Sequence, residues 1–205
     1  MSHDRPLTPD LEEPRNPAFV RLAMPAEALQ VAEVQRRAWA ADPVQQPFLD
    51  QVDLQQMAEI WHHAILRPPM AHHRVLVATE PTGRPEPAAG SPDQTMLAQR
   101  VVGFAAIGPC DDPDAGARDS EVAEFIIDEL GRDRGHDARL LNAVVDTMRA
   151  DGYERAVWWV RSTDDQLRTF LTESGWAADG AHRELGTEDE QVRIKQVRLH
   201  TDIRA

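Results

Sequence analysis

Residues 124–145 hold the densest chemistry in the chain: EFIID reads as a strand, ELGRDRGHD as a tight loop, and ARLLNAVV as the start of an amphipathic helix. A helix that begins directly after such a loop aims its unpaired backbone N–H groups, and the positive end of its dipole, at the loop. That arrangement holds a phosphate or pyrophosphate without a lysine. Arg132, Arg134 and Gly135 suit the task, as cations at the rim and a glycine where backbone must approach a ligand. Asp137 works against it, because a carboxylate repels a pyrophosphate, and Asp133 and Glu129 add negative charge nearby. Asp137 also has a plain role, since an acidic residue in a first turn favours the helix itself.

The elements around the loop have a recognisable order. Leu140, Leu141, Val144, Val145 and Met148 share one helical face, opposite Arg139, Asn142, Asp146 and Arg149, and the helix stops at Asp151-Gly152. A buried-strand run follows at 156–160, then a helix from Asp164 to Ser174 closed by Gly175-Trp176, then a strand near Val192 to Leu199.

With these residues the chain resembles the GNAT superfamily of acyl-CoA-dependent N-acyltransferases. That family carries an R/Q-x-x-G-x-G/A loop between its fourth strand and third helix. Here Arg132-Asp133-Arg134-Gly135-His136-Asp137 matches at the first and fourth positions and departs at the sixth. Gly175-Trp176 is similar to the Gly-aromatic pair that closes the family's fourth helix, and the element order extends the resemblance over about residues 18–203.

The resemblance implies acetyl-CoA as acyl donor. The backbone at Phe125 and Ile127 would hold its pantetheine arm, and Arg132, Asp133, Arg134, Gly135, His136, Asp137 and Ala138 its pyrophosphate. Asp164 stands where the family often has a cofactor-contacting asparagine, and it also suits a helix N-cap. A glutamate three residues before the strand's CoA-facing hydrophobic position, Ile127, maps to Glu124 as the base, with Glu121 as the fallback. The family's usual acid, a tyrosine four residues before the closing glycine, is replaced by Leu171. Trp39, Phe48, Trp61 and His62 fall on the two helices and loop that wall the acceptor cleft in the family. The implied activity is acetyl transfer to a primary amine of a small-molecule or amino-acid-like acceptor. The alternative is a degenerate GNAT fold that binds CoA or a protein partner without catalysis, which Asp137 and Leu171 favour. A homodimer is common in the family.

Composition narrows the classes. At 205 residues, with 41% hydrophobic content, the chain suits one domain with a decorated terminus. A net charge of -13 excludes nucleic-acid binding through a general basic surface and favours cationic partners. The single cysteine, Cys110, excludes an internal disulfide and points to a reducing cytoplasm. No apolar run spans a membrane and no signal-peptide pattern opens the chain. The pairs His62-His63 and His72-His73 each offer one good ligand at most, so no metal is expected.

Reading along the chain, residues 1–16 form a mobile polar tail and 17–205 the domain. A strand at 19–23 precedes a helix opened by Pro25 and a second helix capped by Asp53 and ended by Pro68-Pro69. Strands follow at 73–79, 100–107 and 121–128, with 80–97 as a long exposed hairpin loop. Gly103 marks a bulge or a close backbone approach, and a phase change in the last strand points to a bulge near Gln196. The pattern predicts an α/β fold with a GNAT-like mixed, mostly antiparallel central sheet and helices on both faces.

Overall fold

The computed structural model describes residues 19–88, 91–186 and 193–204, so the polar tail at 1–16 and Val192 lie outside the described residues. Seven strands form one sheet in the order β1-β2-β3-β4-β5-β7-β6. They are β1 (Phe19–Leu22), β2 (Arg74–Ala88), β3 (Ser91–Pro109), β4 (Asp119–Ile127), β5 (Arg155–Arg161), β6 (Ala177–Gly186) and β7 (Arg193–Asp202). Four helices accompany them: α1 (Ala28–Ala41), α2 (Leu54–Leu66), α3 (His136–Ala150) and α4 (Asp165–Glu173). Every strand pairing is antiparallel except β4 with β5. The mixed, mostly antiparallel α/β sheet expected from the sequence is the sheet observed.

Strand alternation sorts the core onto two faces. Leu76, Ala105, Val122, Ala156, Trp158, Val160 and Leu199 pack with Leu140, Leu141, Val144 and Met148 of α3 and Leu171 of α4. Val77, Val101 and Phe104 turn the other way onto Val31 and Val34 of α1. Local chemistry sets the helix starts. Asp53 accepts from Gln56 N–H at 2.8 Å while Gln56 returns a bond to Asp53 N–H at 3.0 Å, a reciprocal cap on α2. Asp164 accepts from Leu167 N–H at 3.0 Å and caps α4.

Two expectations need correction. Residues 80–88 and 91–97 are strand, not loop: β2 runs on to Ala88 and β3 begins at Ser91. Among the described residues β1 pairs with β2 only from Leu76 to Thr79, so beyond Thr79 one edge of β2 needs no donors. Pro81, Pro85 and Pro87 can therefore sit in a strand, with register shifts between Pro81 and Pro85 and between Pro87 and Ala88. The last strand also has no bulge near Gln196, because β7 keeps one register with β5 from Asp202 to Gln196. The irregularity belongs to β6, between Ala178 and His182. The phase change has another cause. Leu199 and Val197 face the α3/α4 core, while Ile194 and Gln196 line a cleft on the opposite face.

Gly103 is a close approach, as its spacing suggested. A Cβ there would lie 2.7 Å from Ile127 Cδ1 and 2.8 Å from the Ile126 carbonyl oxygen. Gly103→Ala should cost about 1–3 kcal/mol by overpacking, read as a lower urea midpoint at unchanged m-value.

Candidate active site

The site begins with a fault in one strand. Ala106 pairs with Glu124 but Ile107 pairs with Val122, so Ala123 is an extra residue in β4. A bulge bends its strand and increases its twist. β4 and β5 are paired only from Asp119–Arg155 to Val122–Trp158, and beyond that point they part. The gap opens into a cleft of about 970 Å³, lined by 123–129 and Arg132 on one side and by 158–161, Asp164 and Leu167 on the other.

The end of α1 roofs this cleft and is fastened to both sides of the gap. Arg37 pairs with buried Asp128, just after β4, its Nε donating at 2.9 Å. Asp42, just past α1, pairs with Arg161 of β5 at 2.5 Å. Burial alone would raise the Asp42 carboxyl, but the hydrogen bond from Arg161 and those from the backbone of Val44 and Gln45 hold it below the usual range.

Glu124 is half-buried in the cleft wall and makes no hydrogen bond or ion pair among the described residues. Burial pushes its carboxyl up to about 7. Glu121 is also raised, by burial first and then by Asp111 and Asp112, but it does not line the cleft. Asp128 N–H donates to the Val102 carbonyl at 2.8 Å. Alternation along β4 then turns the N–H groups of Phe125 and Ile127 away from β3 and into the gap.

The loop after β4 divides the residues assigned to it. Asp133 and Gly135 take left-handed φ values of 59° and 70°, which fold the chain back into α3. Arg132 is exposed, lines the cleft and lies 3.7 Å from Glu129. Arg134 is not free at the rim. It donates at 2.9 Å to Glu80 of β2, and the fully buried His136 ring meets the same carboxylate at 2.6 Å through Nε2. Burial would raise the Glu80 carboxyl, but these hydrogen bonds outweigh it and hold it low. Asp137 is exposed, and its carboxylate accepts from Ala138 N–H at 2.8 Å, filling part of the anion-attracting end of α3. Asp164 lines the cleft while its side chain serves as the α4 cap.

The proposed acceptor wall needs correction. Trp39 and Phe48 meet edge to face at 6.4 Å, and Trp39 packs between the two helices against Ala32, Met57 and Ala58. Trp61 stacks on Phe104 at 4.9 Å and donates to Gln35 at 2.8 Å, and His62 Nδ1 lies 3.2 Å from the Pro25 carbonyl. None of the four lines the cleft. Large aromatic side chains on amphipathic helices go to the helix–helix seam, where they bury most area. This cleft is walled instead by Arg37, Ala38 and residues 40–45, and by Trp159, Arg161, Leu185, Ile194 and Gln196. The alternation of the last strands carried that signal, since Ile194 and Gln196 are out of phase with the core residues Val197 and Leu199.

A family model for the acetyltransferase (GNAT) family matches residues 57–176. The chain belongs to the GNAT family. Solved structures agree in fold at low identity. An N-acetyltransferase from Staphylococcus aureus Mu50 is 14% identical, with a TM-score of 0.66 over 92% of this chain and 100% of that one. A putative acetyltransferase from Salmonella typhimurium, solved with its cofactor acetyl-CoA, is 16% identical, with a TM-score of 0.64 over 93% and 96%. The ribosomal-protein-alanine N-acetyltransferase from Brucella melitensis is 16% identical, with a TM-score of 0.65 over 90% and 99%. No curated protein sequence matches the chain.

The GNAT family uses acetyl-CoA. Leu171, where the family's usual acid tyrosine stands, is fully buried in the core under α4. Tyr153 is buried in the same core. Cys110 carries a thiol pushed up to about 11, by burial first and by Asp112 and Glu121, which disfavours the thiolate at neutral pH.

The Glu80 contacts make a pH prediction. A carboxyl held low in the folded state adds stability above its unfolded pKa and loses it as pH falls through the folded value. Glu80→Gln should therefore destabilise by about 1–3 kcal/mol at pH 7. The deficit should shrink in acid, measured by denaturant titrations at pH 7 and pH 3.

Proposed function

We propose that this GNAT protein is an acetyl-CoA-dependent N-acetyltransferase acting on the primary amine of a small-molecule or amino-acid-like acceptor. The observation that carries this reading is Glu124, a half-buried, unpartnered carboxyl in the cleft where β4 and β5 part. A carboxyl titrating near neutrality can accept a proton from an ammonium group and hold it at pH 7. Around it Asp42, Asp128, Glu129 and Asp164 outnumber the lining cations Arg37, Arg132 and Arg161, which favours a cationic acceptor. The reducing cytoplasm is the natural compartment for a chain with one free thiol.

The donor fits the residues present. The N–H groups of Phe125 and Ile127 offer the gap two donors that no neighbouring strand uses. Arg132 and the first N–H groups of α3 offer a site for phosphate charge. Acetyl-CoA supplies an acetyl group on a thioester: the amine nitrogen bonds to its carbonyl carbon, the C–S bond breaks, and the thiolate leaves and takes up a proton. Glu124 takes the proton that the ammonium must lose before its nitrogen attacks, and the second proton, shed as the C–N bond forms, passes to solvent or to the departing thiolate. Backbone N–H groups on the parted strand polarise the carbonyl. With Leu171 in place of a helix acid, the thiolate leaves unprotonated and takes its proton from water or another group.

Glu124→Gln should cut turnover more than tenfold and leave CoA affinity little changed. The wild-type kcat/KM should rise with pH through an apparent value near 7, and this limb should vanish in the variant. A raised carboxyl also weakens the fold as it ionises, so Glu124→Gln should be more stable than wild type at pH 8 and not at pH 4. Unchanged turnover would remove Glu124 from the mechanism. Asp137→Gly should tighten acetyl-CoA binding in a thermal-shift titration, because it clears a carboxylate from the start of α3. A weakened or unchanged affinity would place the pyrophosphate elsewhere.

A further inference from the structure

The cleft continues past Glu124 over the outer face of β5, β7 and β6, and that face carries a second recognition element. Arg161, Gln196 and Arg183 form one row across the three strands, since Arg161 pairs with Gln196 and Gln196 with Arg183. Trp159 lies beside this row on the same face, its Nε1 donating to both Asp112 oxygens at 3.0 Å. The guanidinium of Arg183 stacks on that indole, 4.4 Å from the ring centroid, and its Nε donates to Gln196 Oε1 at 2.7 Å. Trp159 and Gln196 line the cleft, as do Leu185 and Ile194, the next pair along on β6 and β7.

The lack of a carboxylate partner among the described residues sets this arginine apart from its neighbours. Arg161 is neutralised by Asp42, and buried Arg198 by Asp112, Asp114 and Asp179 at 2.6–2.9 Å. Arg155 is held by Asp119 and Asp179. Arg183 has only its Nε bond: among the described residues its two terminal nitrogens meet no carboxylate or carbonyl. Glu121 feels its charge but makes no ion pair with it among the described residues. The result is a planar cation, oriented by stacking and by one hydrogen bond, with the pair of donors that suits a carboxylate left open.

We infer that Arg183 and Trp159 form a carboxylate-binding subsite, so that the acceptor is a short zwitterionic molecule with its amine at Glu124 and its carboxylate at Arg183. This rests on the acetyl-transfer reading above and names the acceptor class within it. The span sets the length. Glu124 and Arg183 belong to strands three places apart in the sheet. Two of those places are paired at about 4.8 Å and the third, between the parted β4 and β5, is wider, so even with Arg183 leaning in over Trp159 the charged groups stand on the order of 10 Å apart. An extended peptide advances about 3.3–3.6 Å per residue, so two to three residues fill the span. A free amino acid, with amine and carboxylate on one carbon, is too short to reach both groups. The apolar Leu185 and Ile194, which line the same cleft, would lie beside the acceptor.

The test uses dialanine and trialanine, each beside its C-terminal amide, with acetyl-CoA and the full chain. Wild type should show kcat/KM at least tenfold higher for the free acid than for the amide. Arg183→Gln should bring that ratio toward one, and Arg183→Lys should restore part of it. A variant that merely loosened β6 would lower both substrates together and leave the ratio intact, which would overturn the assignment. So would a wild-type enzyme that acetylates acids and amides equally. Calorimetric binding of trialanine separates this inference from the catalytic reading. Binding to wild type and not to Arg183→Gln, with no acetylation of any amine, would keep the subsite and sink the transferase. Acetylation of amines without acid preference would do the reverse.

Discussion

The parting of β4 from β5 is the constraint on which the rest depends. Parallel neighbours in the middle of a sheet normally satisfy each other's backbone along their whole length. Here the extra residue at Ala123 bends β4 away after four paired positions. Backbone donors that a regular sheet would have consumed are left facing a cleft, and a glutamate is left in the wall without a partner. Both features would be costly defects in a core. In the wall of an open cleft they can be met by water or by a ligand.

Two sets of ion pairs hold that opened sheet in shape. Arg37–Asp128 and Asp42–Arg161 tie the end of α1 to the two sides of the gap, so the roof is fixed relative to both strands. Arg134 and His136 tie the start of α3 to Glu80, two strands away from β4. Exposed ion pairs contribute little to stability, but Asp128 and Glu80 are buried carboxylates that would be left uncompensated if their partners were lost. The contacts position the cleft; they do not supply its chemistry.

Much of the fold was legible because its signals are local. Asp53, Asp164, Gly152 and Gly175 mark helix ends by the bonds and backbone angles they favour, and α3 declares its buried face by spacing alone. The β2–β3 hairpin was hidden because proline argues against a strand until one knows which edge is unpaired. The make-up of the cleft wall was hidden for a similar reason. Trp39 and Trp61 resemble cleft residues by type, yet the packing of α1 on α2 claims them.

By itself the sequence determined the order of elements, the strand–loop–helix unit after Glu124, and the family to which that unit points. Such features depend on residue type and short spacing, which a linear reading contains. The tertiary structure decided what each polar group meets. It sent Arg134 to Glu80 and left Arg132 in the cleft, although both read as rim cations in the sequence. It also brought Trp159, Arg183 and Gln196 onto the face that continues the Glu124 cleft. Those contacts join strands far apart in the chain, and their register comes from the pairing of the whole sheet, which no local pattern encodes.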